Sequence, residues 1–265
     1  MKPGTRRRLG LATAGALAGA AAAEFARGYG EQAHRFGAAA AGVFLVPTLL
    51  RNCGWWGPVM TTFPARQREV WLTIDDGPDP EETPRILDVL REFGARATFF
   101  CIGRRVAARP ALTRAVIEAG HDVQNHTFSH PAFTFWAALP GHVRAEIRRG
   151  SQAIREATGK QPRLFRAPAG LANCFVHAAT ADAGLRLIGW STAGRDGVAH
   201  DPDRALRRIL DRVRPGCIIL LHENRLPGMA PGQRAQTLHG LLAGLERRRL
   251  RTVIPTGLED RGFTW

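Results

Sequence analysis

The sequence predicts an α/β fold built on a mostly parallel sheet, and three observations predict it. Short apolar runs alternate with amphipathic stretches about seven times between Val70 and Ile254. Glycine and proline punctuate the alternation, as at Gly77-Pro78, Gly120, Gly159 and Gly184. Residues capable of chemistry follow the strand-like runs: Asp75-Asp76, His126 with His130, Arg166, Asp196 and His222. Parallel sheets collect their working groups at the carboxyl ends of strands, in a closed barrel and in an open doubly wound sheet alike.

The elements follow in order. Val70 to Asp75 reads as a strand stopped by Gly77-Pro78. Thr83-Pro84 reads as a helix N-cap with proline at the first position. That helix runs to about Phe93, with Ile86, Leu87, Leu90 and Phe93 on one face. Ala97 to Ile102 is a buried strand, Pro110 to Ala119 a helix closed by Gly120, and His121 to Gln124 a short strand. His142 to Thr158 is a helix with Val143, Ile147 and Ile154 on its apolar side, ended by Gly159. Leu164-Phe165 is a brief strand, Phe175 to Ala183 a helix, and Leu185 to Trp190 a strand. Asp203 to Val213 is a helix that Asp201 can cap. Cys217 to Leu221, Gln233 to Arg248 and Thr252 to Ile254 complete the chain as strand, helix and strand.

Before Phe63-Pro64 the texture differs. Thr5-Arg6-Arg7-Arg8-Leu9 precedes an uncharged run, Leu9 to Ala23, and a second runs from Phe36 to Leu50. A positive start, an apolar run and small residues describe an export signal, loosely of the twin-arginine kind. Each run is shorter than the roughly 18 to 20 residues of a membrane span. A cleaved signal, an anchor, a hairpin in the membrane and helices packed on the domain all remain open. The chain therefore divides into residues 1–62, a signal or membrane-associated segment, and residues 63–265, a catalytic domain. The product is expected to be exported or membrane-associated.

The 265 residues suffice for one large core, and 45% hydrophobic content excludes a disordered or fibrous chain. The net charge of +14 is almost all arginine, Lys2 and Lys160 being the lysines. The arginines are scattered and no zinc-finger, RNA-recognition or basic-zipper pattern occurs, so no nucleic-acid partner is expected. Scattered arginine is what an Arg/Ala/Gly-rich composition gives, and the basic face can still help near a membrane surface. Cys53, Cys101, Cys174 and Cys217 form no C-x-x-C pair; Cys101 and Cys217, inside strand-like runs, read as buried free thiols.

Adjacent carboxylates at Asp75-Asp76 repel each other and a cation relieves the repulsion, although Asp-Gly-Pro is also turn chemistry. His126 and His130, four apart, lie on one face of a helical turn. With an aspartate they supply the two nitrogens and one oxygen of a catalytic divalent-metal site. Arg166 follows a short strand. His222 ends an apolar one and suits general acid work, its pKa lying near neutrality.

Thr73-Ile74-Asp75-Asp76-Gly77-Pro78, His126-Thr127-Phe128-Ser129-His130, Arg166-Ala167-Pro168-Ala169-Gly170 and Leu220-Leu221-His222 stand in an order and spacing that resembles the NodB-type polysaccharide deacetylases, carbohydrate esterase family 4. The resemblance covers about Glu69 to Pro255. It implies an incomplete, distorted β/α barrel and a metal-dependent hydrolase that removes N- or O-acetyl groups from a carbohydrate. By the same resemblance, Asp76, His126 and His130 hold a divalent metal, usually zinc. Asp75 is the general base, held in place by Arg166. The backbone N–H of Ala169 stabilises the oxyanion, and His222 protonates the leaving group. Two departures stand out. Ala169 replaces an aromatic residue. In Trp190-Ser191-Thr192-Ala193-Gly194-Arg195-Asp196-Gly197, Ala193 and Gly197 replace an aspartate and a tryptophan, while Asp196 remains to orient and charge His222. The departures keep open another small or cyclic amide as substrate, and a non-hydrolytic glycan-binding role on the same fold.

Overall fold

The computed structural model describes residues 3–198, 201–256 and 258. Its centre is strand β1 (Glu69–Gly77), buried over its whole length. Val70, Leu72 and Ile74 point to one side of the sheet, and Trp71, Thr73 and Asp75 to the other. Both faces are covered, so the strand reads as one apolar run ending in acids.

Strand β1 pairs in parallel with β2 (Ala97–Cys101) on one side and β7 (Ile218–His222) on the other. Beyond β2 lie β3 (Asp122–Asn125), β4 (Leu164–Phe165) and β5 (Arg186–Leu187); beyond β7 lies β6 (Thr192–Ala193). Strand β8 (Arg251–Thr252) pairs with the start of β1. All these pairings are parallel, and the sheet curls into the incomplete barrel expected from the sequence.

Helices cover the outer face. Val70, Leu72, Ile74 and Phe99 pack with Ile86 and Leu90 of α3 (Glu82–Glu92), Val116 of α5 (Pro110–Glu118), Ile154 of α6 (Pro140–Thr158), Ile209 of α8 (Pro202–Leu210), and Leu238, Leu241 and Leu245 of α9 (Gln233–Arg247). The inner face is filled by Trp71 and Phe100, with Phe63, Leu164, Ile188 and Ile218.

Several boundaries differ from the sequence reading. Thr83 is not the N-cap of α3: Asp79 Oδ1 accepts from the N–H groups of Glu81 and Glu82, and the Thr83 hydroxyl turns inward to Glu223. The Leu185–Trp190 run pairs as a strand only over Arg186–Leu187. Beyond it Ile188 bridges Met60, and the Gly189 N–H donates to the Met60 carbonyl. Helix α4 (Gly103–Ala108) and β6 are too short to leave a periodic pattern. Asp201 caps α8 as expected, and Gly159, at φ 71°, ends α6. Asn173 caps α7 (Cys174–Asp182). Cys101 and Cys217 are buried free thiols.

The N-terminal runs form longer helices than their uncharged stretches, α1 (Pro3–Ala26) and α2 (Gly30–Leu49), joined by a short turn into a hairpin. Residues Leu9–Ala26 are long and apolar enough to cross a membrane, by length and composition. The hairpin base touches the domain: Phe44 lies 5.4 Å from Trp56 and 6.5 Å from Phe175, ring to ring, and Trp56 Nε1 donates to Thr48 at 3.1 Å. Both ends of the domain division, Met1 and the stretch 259–265, lie outside the described residues.

Candidate active site

The carboxyl ends of β1, β3 and β7 open into one cavity of about 510 Å³, lined by Asp75, Asp76, His126, His130, Ala169 and His222 among others. Strand alternation alone would send Asp75 and Asp76 to opposite faces. A register irregularity between Asp75 and Gly77, with Asp76 at φ 75°, re-aims the second carboxylate, and both line the cavity. Asp75 lies directly across from His222 in the β1–β7 ladder.

The two histidines do not share a helical turn. They sit in the loop after β3, bent by Thr127 at φ 64° and His130 at φ 57°. Glu146, buried on α6, holds that loop. Its carboxylate accepts from the Phe128 and Ser129 N–H groups at 3.0 and 2.8 Å, and from the Ser129 hydroxyl at 2.9 Å. Asn125 Oδ1 accepts from the Thr127 N–H at 2.8 Å. The sequence reading missed Glu146; its available signal was an acid on the same helix face as Val143 and Ile147.

His126 Nε2 lies 3.5 Å and His130 Nε2 3.2 Å from Asp76 Oδ1. Burial, then the nearby His130, push His126 down to about 3, which keeps it neutral. His126 Nδ1 donates to the Arg166 carbonyl at 2.8 Å, so the lone pair of Nε2 faces Asp76. Asp76 Oδ1 is itself a buried oxygen with no hydrogen-bond partner among the described residues. One ligand atom from each residue lies within 4.8 Å of the others. An orphaned carboxylate oxygen facing the neutral His126 imidazole, with the His130 imidazole beside it, fits a divalent cation.

Arg166 is fully buried across the inner face. Nη1 donates to Asp75 Oδ1 at 2.6 Å and Thr73 Oγ1 at 2.8 Å, Nη2 donates to the Gly189 carbonyl at 2.9 Å, and the guanidinium lies 4.2 Å from the Phe100 ring centre. Burial raises the Asp75 pKa, and the Arg166 charge opposes the rise. On the opposite flank, Asp196 Oδ1 lies 3.1 Å from His222 Nδ1, and Oδ2 accepts from the His222 N–H at 2.7 Å. Burial pulls His222 down, but Asp196 by charge and hydrogen bond, with Asp76 and Asp75 behind it, outweighs burial and sets it at about 9. Burial alone would raise Asp196; His222 and Arg234 hold it below its usual value. Arg234 also donates to the Asp196 carbonyl at 2.9 Å.

The departures acquire a geometric reading. A Cβ on Gly197 would come within 2.7 Å of the His222 ring, so this placement of the imidazole requires glycine. Ala169, at φ 54° in the turn Pro168–Gly170, leaves the cavity wall open where an aromatic side chain would stand. Sequence reading also missed the cavity rim: Arg51, Phe133, Trp136 and Arg195 line it. They belong to loops and to the short 3₁₀ turn Phe135–Ala137, whose spacing carries no period.

Residues 63–188 match the model of the polysaccharide deacetylase family. A chitooligosaccharide deacetylase of a Bradyrhizobium species is 40% identical over 197 residues, covering 74% of this chain and 87% of that protein. A peptidoglycan-N-acetylglucosamine deacetylase of Bacillus cereus is 33% identical over 201 residues, covering 74% and 91%. Among solved structures, the family 4 carbohydrate esterase of Streptomyces lividans in complex with acetate superposes with a TM-score of 0.64 at 31% identity, covering 72% of this chain and 94% of that one. The expected family stands on these matches as well as on the motifs: the chain belongs to the NodB-type polysaccharide deacetylases, carbohydrate esterase family 4.

Proposed function

We propose that the chain is a metal-dependent hydrolase that removes N- or O-acetyl groups from a carbohydrate, whether cell-wall glycan, exopolysaccharide or lipid-linked sugar. One observation carries the reading. The orphaned Asp76 Oδ1 faces His126 and His130 between a buried carboxylate, Asp75, and a charged imidazole, His222. The deacetylase names of the relatives support it.

Asp76, His126 and His130 would hold the divalent cation, zinc by donor set. Bound there, the cation lowers the pKa of water and polarises the acyl carbonyl. Asp75 takes the proton from the attacking water. Arg166 occupies Asp75 Oδ1 and so fixes the carboxylate, whose Oδ2 lies 3.7 Å from His126 Nε2. The Ala169 N–H donates to the developing oxyanion. His222, protonated below about 9, gives its proton to the leaving amine or alkoxide, and Asp196 keeps it charged and oriented. The division at residue 62 separates this machinery from the segment that locates it, exported or held at a membrane.

The test is acetate release from N-acetylglucosamine oligomers and O-acetylated glycans, comparing the full chain with Asp75→Asn. Release is expected from the former, and loss of release from the variant with its metal content unchanged. Full activity in Asp75→Asn would break the base assignment.

A further inference from the structure

The cavity rim has chemistry that deacetylation of a neutral sugar does not use. Arg51 and Arg195 line it, both exposed and neither in an ion pair among the described residues. Among the described residues, Asp75 and Asp76 are the only carboxylates on the lining, and a bound cation would offset their charge. The outer wall is apolar: Phe133 is 93% exposed and Val198 75%. Two large apolar side chains exposed at the mouth of one cavity extend its apolar lining outward.

The N-terminal hairpin adjoins that rim. Arg51 follows Leu50, which is 55% exposed just past the end of α2, with Val46 and Leu49 exposed in the turn before it. Asn52 then ties the hairpin base to the cavity. Its N–H donates to the Gly170 carbonyl at 2.8 Å, beside Ala169, and Nδ2 donates to the Trp190 carbonyl at 3.1 Å. Along the hairpin, the uncharged stretches Leu9–Ala23 and Phe36–Leu50 lie in two helices packed on each other. Each stretch makes an apolar band about 22 Å long. At the far end the charges pair among themselves, Arg27 with Glu24 at 3.0 Å and Arg35 with Glu31 at 2.8 Å. At the base end the band stops at Arg8 in α1 and at Arg51, two residues past the end of α2. An apolar band bounded by arginine suits a bilayer with anionic headgroups.

We propose that the hairpin sits in the bilayer and that Arg51 and Arg195 receive the phosphate of a lipid-linked, N-acetylated amino sugar whose sugar ring enters the cavity. The guanidinium groups bind the phosphate by charge-assisted hydrogen bonds. Phe133 and Val198 meet the first carbons of the lipid. The open wall at Ala169 admits a substrate that arrives from the membrane side. This inference rests on the deacetylase reading and narrows its substrate.

The experiment floats the full chain with vesicles of phosphatidylethanolamine and phosphatidylglycerol. It then compares deacetylation of polyprenyl-phosphate-linked N-acetylglucosamine in those vesicles with that of a soluble N-acetylglucosamine oligomer. The chain is expected to float and to prefer the lipid-linked substrate. Arg51→Ala and Arg195→Ala should lower kcat/KM for it, through KM, by about tenfold more than for the oligomer. Arg91→Ala, an exposed arginine paired with Asp88 on α3, should change neither. A chain that stays in solution overturns the proposal, as do arginine variants that slow both substrates alike. Turnover of the oligomer alone overturns this proposal and leaves the deacetylase reading standing; turnover of neither overturns both.

Discussion

The half-barrel and the N-terminal hairpin place their apolar side chains in opposite ways. Every residue of β1 is buried, and its acids end the strand inside a shared cavity. Along α2 only Ala33 and Thr48 are buried, while Leu45, Val46 and Leu49 face outward. Apolar content is therefore no guide to burial here. In the half-barrel, helices cover the outer face of the sheet, so the apolar residues of its strands find partners within the chain. The hairpin is two helices thick, and beyond its base, where Phe44 meets Trp56 and Phe175, Leu45, Val46 and Leu49 find no such cover among the described residues.

The largest effect is expected from Arg166→Ala. Removing the guanidinium leaves the Asp75 carboxylate buried beside an empty space, at a cost of about 3–5 kcal/mol. Chemical denaturation should show that loss, and acetate release should vanish with it. Leu72→Ala, in the packed face of β1, should cost about 2–5 kcal/mol in the same measurement. Leu72→Ala would sharpen the contrast by leaving the pH dependence of turnover untouched.

Asp196→Asn addresses the acid flank. In the native chain His222 is raised to about 9, so activity should hold below that pH and fall as pH rises through it. The amide removes the charge that offsets burial, so the His222 pKa falls and the alkaline limb of the kcat/KM profile moves to lower pH. A profile that does not move would remove His222 from the role of acid. The smallest effect is expected from Leu49→Ser on the hairpin, within about 0.5 kcal/mol of the native stability in water. A loss as large as that of Leu72→Ala would show that Leu49 is packed in solution, and the contrast between the two regions would fail.

Much of this was legible in the sequence because burial on both faces of a parallel sheet leaves apolar runs that end at chemistry. Asp75, His222 and Arg166 could be read from strand ends, and Gly159 and Asp201 from capping chemistry. What escaped is long-range or aperiodic. The spacing of His126 and His130 suggested a helical turn, yet Glu146, many residues away, holds them in a loop. Thr83 looked like a cap because only the local pattern was visible; its hydroxyl answers to Glu223 across the fold. Glu223 is fully buried, and burial raises it to about 8, so it stays largely protonated behind the site at neutral pH. Nothing in the neighbouring sequence announces that. Arg51, next to an apolar run, read as part of a signal-like segment, and only the fold brings it to the cavity rim.

The most direct measurement is acetate release by the full chain after metal removal, followed by titration with zinc while bound metal is counted. Release should stop on removal and return as a single cation per chain is taken up, and Asp76→Ala should neither retain the cation nor recover. Undiminished release from metal-free protein would contradict the account at its centre.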